Sequence, residues 1–170
     1  MNAAEAKGMA NGLIQGLENE HTITRKVVAA IPEHQLNFKV GDKGRAAREL
    51  AWHLIASEAW FADSIAAGDF SQPETPCPPN VTVAEMVGKY EKEMPAKFAK
   101  IKAMSGDDLA KVVSFFGVMQ MPNVVYLNFW NNHSIHHRGQ LSTYLRAMNA
   151  HVPSIYGGSA DEPFTMPATA

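Results

Sequence analysis

Four long runs with apolar residues at spacings of three and four dominate this sequence. They leave a chain of 170 residues few options besides a helix bundle. In the first run Met9, Leu13, Ile14, Leu17, Val27, Val28 and Ile31 fall near one stripe. That predicts a helix over about residues 5–31, ended by Pro32, which pushes the residue before it out of the helical region. Leu36 to Val40 reads as a short extended piece, and Gly-Asp-Lys-Gly at 41–44 as a turn. The second helix is expected over 45–67, with Leu50, His53, Leu54, Trp60, Phe61 and Ile65 in its apolar sector and Gly68 as its stop. Residues 71–80 hold four of the ten prolines and read as a surface loop.

Thr82 and Glu85 form a capping-box pattern that opens a third helix reaching about Lys102. Asp107 to Met121 leaves two readings open, a short helix followed by a loop or an extended excursion. Pro122 suits the first turn of a fourth long helix that runs to about Met148, with Asn149 as a left-handed cap. The expected fold is all-α, a single-domain antiparallel four-helix bundle over 1–170 with an irregular tail from about 150. The long connections after the second and third helices keep crossover topologies in play.

Composition removes several functional classes. Seventeen acidic residues against fifteen basic ones give a net charge of −2, which offers no footprint for nucleic acid or an anionic membrane. The single cysteine, Cys77, excludes an internal disulfide. The most apolar stretch, Val112 to Trp130, is broken by Ser114, Gln120, Pro122, Asn123 and Asn128, so no span of a bilayer is expected. The N-terminus lacks the basic and apolar pattern of a secretory signal. A cytoplasmic location is the expectation.

The histidines carry the chemistry. His133 and His137 stand four residues apart in Asn-His-Ser-Ile-His-His-Arg-Gly, so both rings can aim a nitrogen at one cation. Leu141, Tyr144, Leu145 and Met148 continue their face, which turns the pair inward and leaves His136 rotated by about 100°. His53, between Leu50 and Leu54, is the candidate third ligand. A lone histidine on an apolar face is more often a packed core residue, and the HxxxH pair is what shifts His53 toward a ligand. Neutral imidazoles suit zinc and nickel foremost, and iron or manganese besides. Three histidines leave positions open for water or substrate, the pattern of a catalytic rather than a structural site. No glutamate follows His133, so the metalloprotease motif HExxH is absent.

Residues 136–162, HHRGQLSTYLRAMNAHVPSIYGGSADE, resemble the C-terminal signature of the DinB-like (DinB/YfiT) proteins, as does the spacing from Pro122 to His133. RELAWHLIASEAWF at 48–61 is similar to that family's second-helix motif, and AAIPEHQLNFKV at 29–40 fits its N-terminal run. The resemblance spans residues 9 to 162. It implies a four-helix bundle, often a homodimer, holding one divalent metal on three histidines that match His53, His133 and His137. Relatives in the wider superfamily are transferases or isomerases that use a low-molecular-weight thiol, whose thiolate a metal would favour.

Other residues have two readings each. Glu49 lies one turn before His53 and either orients it or is a solvated helix charge. Asn132 is a candidate for the site mouth. Arg138 either binds a substrate carboxylate or holds the bundle through an ion pair. His136 is expected against a neighbouring helix or subunit, His21 near the core, and His34 and His151 in solvent. Cys77, in a loop without a nearby base, is a poor nucleophile. The leading functional expectation is a metal-dependent enzyme, a thiol-dependent S-transferase or a hydrolase, acting on a small electrophile. The alternatives are a non-catalytic metal- or ligand-binding stress-response protein and a purely structural module.

Overall fold

The computed structural model describes residues 1–165. Helix α1 spans Ala3–Ala29, α2 Ala47–Ala67, α3 Val83–Ala103, α4 Gly106–Ala110 and α5 Val125–Ala147. A two-stranded antiparallel hairpin, β1 at Val112–Phe115 and β2 at Met119–Pro122, precedes α5. Both readings of residues 107–121 therefore hold in part, since a short helix leads into an extended hairpin. Pro122 ends β2 instead of opening α5, because its residue pairs with Val112 across the ladder. Leu36 to Val40 is not extended. A 3-10 turn at Glu33–Gln35 leads into it, and Ala47 and Arg48 donate backbone N–H groups to the carbonyls of Phe38 and Leu36.

Local signals set most helix ends. The side chains of Asn2 and Thr82 accept from the N–H groups of Glu5 and Glu85, and both glutamates reach back to the cap residues. Gly68 and Asn149 take left-handed backbone, at φ 65° and 55°, where the α2 and α5 helices stop.

Paired side chains give the helix directions. Arg25–Glu91 and Glu18–Lys102 run in opposite senses, so α1 and α3 are antiparallel. Glu58–Tyr90 and Asp63–Lys97 advance together, so α2 and α3 are parallel. Ser57–His133 and His53–His137 make α2 and α5 antiparallel. The bundle is thus up–down–down–up, with α1 packed on α3 and α5 and α2 packed on the same two helices. Simple alternation fails because the connection after α2 does not turn tightly. It runs back along α2, pinned where Trp60 and Trp52 donate their indole N–H groups to Gln72 (2.6 Å) and Thr75 (2.9 Å). A 21-residue helix is about 31 Å long, and residues 68–82 fully extended reach about 50 Å, enough to make that return.

The core joins Ile14, Leu17, Leu54, Ile65, Met86, Met94, Ile101, Trp130 and Leu145 from the four long helices, all at most 2% exposed. Met9, in the expected stripe, lies outside it at 36% exposure. Two charged residues, Glu58 and Arg138, are as buried as the apolar core. Residues 150–165 are irregular and are tied down by Arg146–Asp161, His151–Glu162 and a bond from Tyr156 to Glu20.

Candidate metal centre

The antiparallel α2–α5 contact brings three histidines to one point. His53 comes from the second turn of α2. His133 and His137 come from successive turns of α5, four residues apart on one face. Ring centroids are 4.6 Å apart for His53–His137, 5.0 Å for His53–His133 and 4.3 Å for His133–His137. One ring nitrogen from each lies within 4.8 Å of the others, a spacing that admits one cation between them. All three side chains are half-buried.

Each ring has its Nδ1 engaged. His53 Nδ1 meets the Glu74 carboxylate at 2.9 Å, His137 Nδ1 meets Gln140 Oε1 at 2.8 Å, and His133 Nδ1 meets Ser57 Oγ at 3.3 Å. Ser57 donates its own hydrogen to Leu54 O at 3.0 Å, so its oxygen is left to accept from His133. Each partner can accept from Nδ1–H, an arrangement that favours the Nδ1-protonated tautomer and leaves Nε2 as the candidate ligand atom. Burial and the neighbouring His137, His53, His136 and Arg45 push His133 down to about 3. Burial also lowers His137, against the opposing bond from Gln140. At neutral pH these two rings are uncharged and need lose no proton to bind a cation. The donor set, its tautomers and its charge state fit a divalent transition metal with open coordination positions.

The other candidates take different places. Glu49 caps its own helix, accepting from the N–H of Ala46 at 2.7 Å, and the carboxylate on His53 belongs to Glu74. Arg138 points to a different face of α5, toward α1, where it is 1% exposed and pairs with Glu20, Thr24 and Tyr156. Asn132 is exposed on α5. His136 is exposed beside His137, with ring centroids 4.9 Å apart. His21 packs its ring 4.3 Å from that of Tyr90, away from the cluster. His34 and His151 are exposed. Cys77 lines a cleft with His53, Arg45 and Glu74, and burial pushes its thiol up, away from the reactive thiolate.

Sequence reasoning missed the three residues that orient the rings. Ser57 and Gln140 stand at i+4 from His53 and i+3 from His137, so helical phase could have found them. Glu74 sits 21 positions from His53 in an irregular loop, and nothing local announces it.

Fold and cluster together define a crossover four-helix bundle with a three-histidine centre between α2 and α5. The chain belongs to the DinB family, whose model matches residues 7–165. It is similar to the uncharacterized protein YrdA of Bacillus subtilis, with 25% identity over 150 residues that cover 88% of this chain and 89% of that one. It is also similar to the uncharacterized YjoA of the same organism, with 24% identity over 144 residues, 82% of this chain and 90% of that one. Two crystal structures share the fold. A DinB-like protein from Bacillus cereus ATCC 10987 aligns with a TM-score of 0.74 and 24% identity, covering 86% of this chain and 97% of that one. The YjoA structure aligns at 0.67 and 19%, covering 84% and 96%. Among the described residues, no helix is long and apolar enough to cross a membrane.

Proposed function

We propose that His53, His133 and His137 hold one divalent transition metal, zinc or nickel foremost, in an enzyme that joins a small thiol to a small electrophile. The observation that carries this reading is the convergence of one ring nitrogen from each histidine within 4.8 Å, with Ser57, Glu74 and Gln140 each held against one Nδ1. A structural histidine cluster has no need of such uniform orientation. A bound cation would supply Lewis acidity that favours the deprotonated form of a thiol or water.

This chain's residues would do the rest. Glu74 holds the His53 ring and, as an anion hydrogen-bonded to it, raises its basicity as a ligand. Lys43 and Arg45 line a cleft of about 450 Å³ that reaches His137, Gln140 and Tyr144. Their positive charge suits the carboxylate that common low-molecular-weight thiols carry. His53 and His133 also line a second, apolar pocket. The thiol would approach from the basic side, with the electrophile on the other.

The test is a conjugation assay on zinc- and nickel-loaded protein, with cysteine as the thiol and 1-chloro-2,4-dinitrobenzene as the electrophile, followed by absorbance. A metal-dependent rate that disappears in His137→Ala and in chelator is expected. A rate equal in wild type and variant, across a wider set of thiols and electrophiles, would overturn the enzymatic reading and leave a metal-binding protein without turnover.

A further inference from the structure

Beside the histidines, between α2, α5 and the hairpin, lies a cavity of about 210 Å³. Its walls are Trp60, Phe61, Phe115 and Phe116, with the rings of His53 and His133 forming one side. The aromatic shell is continuous. Ring centroids are 4.8 Å apart for Trp60–Phe61 and for Phe115–Phe116, 5.7 Å for Trp60–Phe116, and 5.6 Å for Phe61–His133. An apolar cavity of about 150 Å³ in another protein admits benzene, so this volume accommodates a six-membered ring.

Its polar atoms are already committed. The Trp60 indole N–H is given to Gln72, the Ser57 hydroxyl to Leu54, and the Glu74 carboxylate to His53. An entering molecule therefore meets mostly apolar surface, bounded on one side by the imidazoles of His53 and His133 and the Glu74 carboxylate. Phe116 adds a second, independent observation. It sits at φ 51° at the hairpin tip, a left-handed backbone that bulky residues rarely adopt, with 57% of its surface exposed. The hairpin thus holds an aromatic ring in the cavity wall on a strained backbone.

We propose that this aromatic cavity binds the flat apolar or aromatic body of the small molecule that also donates an atom to the three-histidine centre. The proposal rests on the metal-centre reading above and narrows its substrate class to aromatic or comparably flat apolar electrophiles. Largely apolar pockets with a few convergent polar groups are the usual form of small-molecule sites.

Two probes separate the cavity from the metal. On the zinc-loaded chain, benzohydroxamate and acetohydroxamate offer the same metal-binding group with and without a ring. Benzohydroxamate is expected to bind roughly ten- to a hundredfold tighter, the return on burying one phenyl ring. That advantage should shrink by about threefold or more in Phe116→Ala, whose exposed site makes misfolding no explanation. On the metal-free chain, 4-fluorotoluene followed by fluorine NMR should show saturable binding that weakens in the same variant. Equal hydroxamate affinities, or no saturable fluorotoluene binding, would overturn the cavity proposal while leaving the metal centre intact. Failure to retain zinc together with Phe116-dependent fluorotoluene binding would uphold the cavity and overturn the metal reading.

Discussion

Arg138 holds the bundle together, and its removal should show as lost stability and not as lost ligand binding. The guanidinium is 1% exposed, and it lies between α1 and the irregular segment after α5. One of its nitrogens donates to Thr24 Oγ1 at 3.2 Å and to the carbonyl of Glu20 at 3.3 Å. The other donates to the Glu20 carboxylate and to the Tyr156 hydroxyl. Arg138→Met removes all four bonds and leaves Glu20, 15% exposed, with Tyr156 as its remaining donor at 2.9 Å. Breaking one side of a buried pair costs about 3–5 kcal/mol, because a charge is left without compensation. At roughly 2–4 °C per kcal/mol for a chain of this size, the melting temperature should fall by about 6–20 °C. Glu20→Gln in the same chain removes the stranded charge, and the double variant should recover about 0.5–3 kcal/mol relative to the sum of the single changes. Urea titrations and thermal melts of the metal-free protein read both quantities. A variant within about 1 kcal/mol of wild type that loses affinity for carboxylate-bearing thiols would refute the structural role and return Arg138 to the binding site.

Other outcomes follow from the same side chains. Glu74→Gln removes the negative charge on His53 Nδ1 and should weaken zinc affinity by about ten- to a hundredfold without changing stoichiometry, as read by competition against a chromogenic chelator. Burial lowers His133 to about 3, so the unfolded chain takes up a proton below its ordinary value of 6.5 that the folded chain refuses; stability of the metal-free protein should decline as pH falls from about 6.5 toward 3. Urea midpoints at pH 7.5 and 5.0 check this, and His133→Gln should flatten the slope. Glu58 has the opposite sign: burial raises it despite the bond from Tyr90 and the nearby Arg138 charge, so ionising it costs stability as pH rises above about 4.5. Glu58→Gln should gain on wild type between pH 5 and 8 in the same titrations.

The bundle was legible because its helices carry their own punctuation. Thr82 with Glu85, Gly68 and Asn149 are local signals, and each takes the predicted backbone conformation. Helix directions were not legible. They depend on a proline-rich loop doubling back along α2, and the bonds that pin it come from the indoles of Trp52 and Trp60, of which Trp60 read only as part of the apolar sector. The hairpin was half-legible, because residues 107–121 fitted a helix-and-loop reading as well as an extended one. In the site, helical phase brought His133 and His137 to one face, and the apolar sector placed His53 toward them. Glu49 and Arg138 drew attention by proximity along the chain. Glu49 caps its own helix, and Arg138 lies about 100° around α5 from His137 and faces α1 instead. Glu74, the residue that holds His53, becomes a neighbour only through the tertiary path of the loop.

Metal content decides the central point most directly. Untagged protein, purified without added metal and again after reconstitution with zinc or nickel, is measured by elemental mass spectrometry. Wild type is set beside His53→Ala, His133→Ala and His137→Ala, with circular dichroism confirming that each variant folds. One equivalent of a divalent transition metal per chain, lost in each folded variant, is the expected result. No stoichiometric metal in reconstituted wild type, or retention of a full equivalent by the folded variants, would contradict a three-histidine centre.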